Sequence, residues 1–192
     1  MKKIIFSDSL LIDYVDDNDY EILKQNIFLI LKKEEEKSGR YKSNRGGFQT
    51  NDLNHNENKD MIKIIINYIY NLIKKNYVFD KIRFDLDNIW INKNPKMAIN
   101  MPHIHPRSHF SGVFFIEVPK QDGNLVFFRN EKSSNMMGDG FFEGSDFNVS
   151  YDVSPKEKMI LLFPSYLQHM VEPHFEEGYR ISVSFNIRIS HG

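Results

Sequence analysis

The periodicity of the chain changes near Phe79, and that change limits what it can fold into. Before it, apolar residues recur at helical intervals: Tyr20, Ile22, Leu23, Ile27, Phe28, Ile30 and Leu31 between Asn18 and Lys37, then Met61, Ile64, Ile65, Tyr68, Ile69, Leu72 and Ile73 between Asn58 and Tyr77. Asp16, Asp17 and Asn18 are suited to cap the first helix. After it come short runs rich in Ile, Val and Phe, split by Pro and Gly turns: Arg83–Asn92, Lys96–His105, Gly112–Val118, Asn124–Arg129, Met159–Pro164, His169–Pro173 and Arg180–Ile189. Two helices followed by some eight strands predict a mainly β (α+β) chain, an antiparallel barrel or sandwich.

A double-stranded β-helix of the cupin or jelly-roll type, with both N-terminal helices packed on its outside, fits this order, although strand pattern alone leaves other β architectures open. We expect one domain over residues 1–192, helical over 1–80 and carrying the β-helix core over 81–192. The polar stretch Ser43-Asn44-Arg45-Gly46-Gly47-Phe48-Gln49-Thr50 reads as a connector or a substrate loop. The tract 130–151, with Met136, Met137 and Phe141-Phe142 but weak periodicity, reads as a long loop.

Composition removes several classes. The 192 residues hold 25 Lys and Arg against 26 Asp and Glu, so net charge gives no nucleic-acid signature. Cys is absent, which excludes disulfides, thiolate zinc sites and cysteine nucleophiles, so any metal must use His, carboxylates or carbonyls. The Met1–Phe6 start resembles a signal peptide until Asp8 and Asp13 interrupt it, and no apolar run is long enough for a membrane span. A cytoplasmic location is the expectation. No P-loop, GxSxG or GxGxxG pattern occurs, so nucleotide hydrolysis and serine-hydrolase chemistry have no support.

Three of the seven histidines fall in His103-Ile104-His105-Pro106-Arg107-Ser108-His109. Strand residues two apart share a face, with Cα atoms about 6.6 Å apart, so His103 and His105 can converge on one ion, and Pro106 would end the strand at a barrel mouth. A bare His-x-His is more often an ordinary surface or core pair. His169 adds weight, because the turn Glu176-Glu177-Gly178 would set it on a strand next to Arg180. By alternation Arg180, Ser182 and Ser184 share one face, and Ile181, Val183 and Phe185 the other. An Arg inside a barrel is costly unless an anion receives it, and a guanidinium fork with a hydroxyl suits a carboxylate. The bland reading is that Arg180 faces solvent or a structural acid. Asn92, near a strand end beside Trp90, could bind a co-substrate or cap the turn at Asn94-Pro95. His109 and His174 read as loop and turn residues, and His55 and His191 as solvated surface.

The order His-x-His, a distal His, then Arg-x-Ser resembles the iron(II)- and 2-oxoglutarate-dependent oxygenases. The stretch Asn92, His103-Ile104-His105-Pro106, Ser111-Gly112-Val113, Phe163-Pro164-Ser165, His169 and Arg180-Ile181-Ser182-Val183-Ser184-Phe185-Asn186 is similar to a group of such enzymes in phages and bacteria. The resemblance implies a double-stranded β-helix holding Fe(II) at its open end through His103, His105 and His169. It implies 2-oxoglutarate as co-substrate, pinned by Arg180 with Ser182 assisting, and O2 as oxidant, with substrate oxidation coupled to decarboxylation to succinate.

One departure stands out: the family's usual carboxylate ligand is replaced by His. The ordinary triad is two His and one carboxylate. Here all three ligands would be neutral, or one of the 103/105 pair would give way to water, or the metal would not be iron, since three imidazoles also describe a zinc site. A metal-binding cupin-like protein without oxidative turnover is the alternative, and an isomerase using His as base a weaker one. The substrate cannot be read, and exposed strand edges leave a homodimer open.

Overall fold

The computed structural model describes residues 8–120, 123–129 and 149–191. Met1–Phe6 and residues 130–148, most of the tract read as a long loop, lie outside the described residues. The elements are β1 (Leu11–Tyr14), α1 (Asp17–Glu34), β2 (Asn44–Arg45), β3 (Phe48–Gln49), α2 (Lys59–Asn76), β4 (Ile82–Pro95), β5 (Ile99–His103), β6 (Phe110–Glu117), β7 (Leu125–Phe128), β8 (Ser150–Val153), β9 (Met159–Pro164), β10 (His169–Val171) and β11 (Tyr179–His191). Every strand pairing among them is antiparallel. A six-stranded sheet runs β1-β9-β6-β11-β4-β3 and a five-stranded sheet β2-β5-β10-β7-β8.

The pairings nest. β7 pairs with β8, β6 with β9, β5 with β10 and β4 with β11. That is one long hairpin wound into two facing sheets, a jelly roll. It brings the beginning and end of the β region side by side, so β4 and β11 lie together although nearly a hundred residues separate some partners, such as Asn88 and Asn186.

Alternation sorts the side chains into two apolar layers. Ile89, Ile91, Phe114, Ile116, Ile160, Leu162, Ile181, Val183, Phe185 and Ile187 form one cluster with Leu23, Ile27 and Leu31 of α1 and Ile65, Ile69 and Leu72 of α2. Within it the Tyr20 hydroxyl donates to the Ile116 carbonyl at 2.7 Å. The opposite faces meet between the sheets, where Val113, Phe115, Leu125, Phe127, Met159, Leu161 and Phe163 cluster. This second core fills only the β6–β7–β9 side of the barrel. On the β4–β11 side the inward residues are Asn88, Asn92, Asn94, Arg180, Ser182, Ser184 and Asn186, and they line a cavity of about 650 Å³.

Gly112 serves packing, because a Cβ there would overlap the Phe185 ring and the Leu161 carbonyl. The helix boundaries fall close to those the periodicity predicts, and Asp16 caps α1 by accepting from the Asp19 amide at 2.9 Å. The first eighty residues also hold three strands that the helical reading misses. β1 has only four residues, and β2 and β3 have two each. Such short edge segments take their conformation from the strands they pair with, so they carry no period of their own.

Candidate active site

β5 ends at His103, opposite His169 at the start of β10, so strand pairing sets two imidazoles side by side. His105 follows in the turn at Pro106-Arg107, and its amide donates to the Ser165 carbonyl at 2.9 Å. The ring centroids lie 5.0 Å (His103–His105), 4.4 Å (His103–His169) and 5.1 Å (His105–His169) apart. One nitrogen from each ring falls within 4.8 Å of the others. The His105 and His169 Nε2 atoms are 3.3 Å apart. Two nitrogens bound to one ion at 2.0–2.1 Å would be separated by about 2.9–3.4 Å, so the spacing fits a shared metal.

The chain also sets the tautomers. His103 Nδ1 lies 2.6 Å from the Met101 carbonyl and His169 Nδ1 2.9 Å from the Leu167 carbonyl. A carbonyl only accepts, so each Nδ1 carries the proton and each Nε2 keeps its lone pair for the site. Burial pushes all three imidazoles below their ordinary pKa, His105 to about 4 and His169 to about 3, with repulsion from His103 adding to both. Near neutral pH the cluster is uncharged and able to ligate. Asp52 is the one acid lining the cavity among the described residues, and it is engaged with Arg40 at 2.6 Å. No carboxylate joins the three histidines there.

Arg180 lies on the same cavity wall, 2% exposed. Its Nη1 donates to the carbonyls of Gly123 at 2.7 Å and Glu172 at 3.2 Å, while its buried Nη2 has no partner among the described residues. Burial pushes the guanidinium down to about 10, so it remains a cation at neutral pH. A buried cation with donors to spare and no acid beside it among the described residues is suited to receive an anion. Ser182 stands two residues along the same inward face. Asn92 of β4, which pairs with Ser182 of β11, donates to Ser184 Oγ at 2.9 Å, and its own Oδ1 is buried without a partner among the described residues. These residues fit a small dianion held between the histidines and Arg180.

The structure adds residues that sequence reasoning assigned otherwise or passed over. His174, expected as a turn residue, is fully buried, and its Nδ1 and Nε2 each lie 3.1 Å from a carbonyl, of Glu176 and Asn94 respectively. It ties the turn after β10 to the end of β4, where Arg180 pairs with Asn94. A single His in a Glu-rich turn gives no signal of burial, so only the fold reveals it. His109 stands apart from the cluster and accepts from the Ile189 amide at 3.0 Å.

The polar residues of the SGV, FPS and SFN segments form one buried relay. Ser111 Oγ donates to Asn186 Oδ1 at 2.7 Å, which leaves Ser165 Oγ to donate to Ser111 at 2.8 Å, and Asn186 Nδ2 donates to Asn88 Oδ1 at 2.7 Å. Because Ser165 also holds the His105 amide, the relay anchors the turn that carries His105. Asn186→Ala should cost about 1–3 kcal/mol, the scale for leaving buried polar partners unsatisfied. Urea unfolding of the metal-free protein checks this.

Comparison with known proteins accords with this geometry. No curated protein matches the chain. A solved prolyl-4-hydroxylase from Pseudomonas putida is 17% identical over 95% of this chain and 93% of its own, with a TM-score of 0.64. A prolyl hydroxylase from Trichoplax adhaerens, solved with a hypoxia inducible factor peptide fragment, is 15% identical over 93% and 83%, at 0.63. HygX from Streptomyces hygroscopicus, solved with nickel and 2-oxoglutarate, is 11% identical over 94% and 82%, at 0.62. At such identities the likeness establishes a common fold. The family model described as "Putative 2OG-Fe(II) oxygenase" matches residues 88–186, just over half of the chain. That match runs from Asn88 to Asn186 and takes in the three histidines and Arg180, so the chain belongs to this family of iron(II)- and 2-oxoglutarate-dependent oxygenases.

Proposed function

We propose that this dioxygenase is a hydroxylase in which His103, His105 and His169 hold Fe(II), and Arg180 with Ser182 binds the distal carboxylate of 2-oxoglutarate. The observation that carries the reading is the buried guanidinium, whose Nη2 is unused and which meets no acid among the described residues, opening into the same cavity as three neutral imidazoles. A plain metal-binding barrel has no need of such a cation. When bound, the iron would let O2 act as the oxidant, with 2-oxoglutarate supplying two of the electrons and leaving as succinate and carbon dioxide.

The protein's own residues do the rest. The Met101 and Leu167 carbonyls fix the rings of His103 and His169, so ligation needs no change of tautomer. Arg180 neutralises the far carboxylate and aligns the co-substrate along the β11 wall. Asn92 can rotate its amide to accept from Ser184 and turn its N–H2 toward the same anion, which would satisfy the oxygen now left unpaired. Trp90, 5.8 Å from the His105 ring, shields the histidines from solvent on the β4 side. The catalytic core in this reading is the β-helix from residue 81 onward, with both helices bracing the back of its larger sheet. No helix among the described residues is long and apolar enough to cross a membrane, and we place the enzyme in the cytoplasm.

The test is an anaerobic titration of the metal-free protein with Fe(II) and then 2-oxoglutarate. A weak visible charge-transfer band should grow in and saturate at one equivalent of each. If the band never forms although 2-oxoglutarate binds, the iron-chelate arrangement is wrong.

A further inference from the structure

The cavity contains a second guanidinium that 2-oxoglutarate does not explain. β2 pairs with β5 and β3 with β4, so residues 40–50 cross from one sheet to the other and close the open edge of the barrel. The crossing is tight. Gly46 has φ +74°, and a Cβ on Gly47 would overlap Asn94 Oδ1. This clasp places Arg40, Tyr41, Lys42 and Arg45 on the cavity wall. Arg40 is paired with Asp52. Lys42 and Arg45 form no ion pair among the described residues, and no other acid there lines the cavity.

Arg45 is held in a way that leaves one edge free. Its Nη1 donates to the carbonyls of Lys42 at 2.9 Å and Asn44 at 2.8 Å, and its guanidinium carbon lies 4.6 Å from the Tyr41 ring centroid. Two backbone bonds and a stacked ring fix the plane of the group. Among the described residues nothing engages the edge formed by Nε–H and Nη2–H, and that edge presents two parallel donors to an oxyanion. Met101 and Ile104, both partly exposed, border the same cavity, so the cation sits beside apolar surface.

We propose that the substrate is an anion, whose carboxylate or phosphate binds the free edge of Arg45 while the carbon to be oxidised lies at the histidine cluster. The proposal rests on the reading of Arg180 as the 2-oxoglutarate clamp, because 2-oxoglutarate can then satisfy only the inner cation. Arg45 pairs with Ile99, four residues from His103 along β5. Four strand residues span about 13 Å, which sets the scale of the separation between the two ends of the substrate.

The test uses the protein loaded with Mn(II) and saturating 2-oxoglutarate under anaerobic conditions, with calorimetric titration of phenyl phosphate, benzoate and the neutral benzyl alcohol. The parent should bind at least one of the two anions and bind benzyl alcohol more weakly, and the preferred anion separates a phosphate from a carboxylate substrate. Arg45→Gln should weaken the preferred anion by about tenfold or more, the scale of a charge-assisted bidentate contact. Arg45→Lys, which keeps charge without the fork, should fall between. Affinity for 2-oxoglutarate should be the same in all three proteins, which shows that the variants fold. Equal anion binding by parent and Arg45→Gln, or no anion binding by the parent, overturns the proposal. A parent that fails to bind 2-oxoglutarate instead overturns the reading of Arg180.

Discussion

His169→Ala should abolish metal loading. His169 is the most buried of the three clustered histidines, 4% exposed, and it offers a ring nitrogen within 4.8 Å of one from each of the other two. Its removal leaves two imidazoles and a void that water fills poorly, since Phe127 and Phe163 pack around the ring at centroid distances of 5.9 Å and 4.7 Å. Loss of an outer hydrogen-bond partner to a metal ligand typically costs 10–100-fold in affinity, so loss of the ligand itself should exceed about 100-fold. Mn(II) binding followed by electron paramagnetic resonance checks this directly. A thermal scan gives a second reading: metal at 100 times its dissociation constant stabilises a native state by about 2.7 kcal/mol. That gain should appear in the parent and vanish in His169→Ala. An unchanged metal affinity would remove His169 from the ligand set.

Arg180→Ala should lose 2-oxoglutarate while keeping metal. Removing one member of a buried charged pair costs about 2–5 kcal/mol, and Arg180 is 2% exposed with no acid paired to it among the described residues. The variant should therefore bind Mn(II) as the parent does and bind 2-oxoglutarate about 30-fold to several thousand-fold more weakly. Arg180→Lys keeps a point charge but cannot reproduce the fork, and should recover only part of the affinity. Calorimetry with Mn(II) first and 2-oxoglutarate second separates the two steps. Parent-like 2-oxoglutarate binding by Arg180→Ala would end the clamp assignment.

Much of this was legible in the residue order, and the illegible parts have physical causes. The alternation Arg180, Ser182, Ser184 against Ile181, Val183, Phe185 predicts two faces, and those faces are the cavity wall and the helix-packed core. His103 and His169 could be linked only through the resemblance, because no local pattern says that β5 and β10 are neighbours. The bridging role of residues 40–50 depends on pairing with two different sheets, and two-residue strands carry no period. Nothing local to Gly112 names the Phe185 ring as the group that needs its missing side chain, because Phe185 lies on the paired strand. The burial of His174 follows from the return of the chain past Asn94, a contact between positions 80 apart.

β11 divides its labour by parity. Its odd positions from Ile181 to Ile187 are seated among the helices, and its even positions from Arg180 to Asn186 face the cavity. A change at an even position alters what the cavity recognises without disturbing the apolar seat, and a change at an odd position loosens that seat without rewriting the chemistry. Stability and recognition are therefore largely separable from Arg180 to Ser184, whereas Asn186 serves both through its buried hydrogen bonds. The helix-packed face of the strand can thus be held constant while the cavity face is tuned, so the scaffold does not have to be rebuilt when the cavity's chemistry changes.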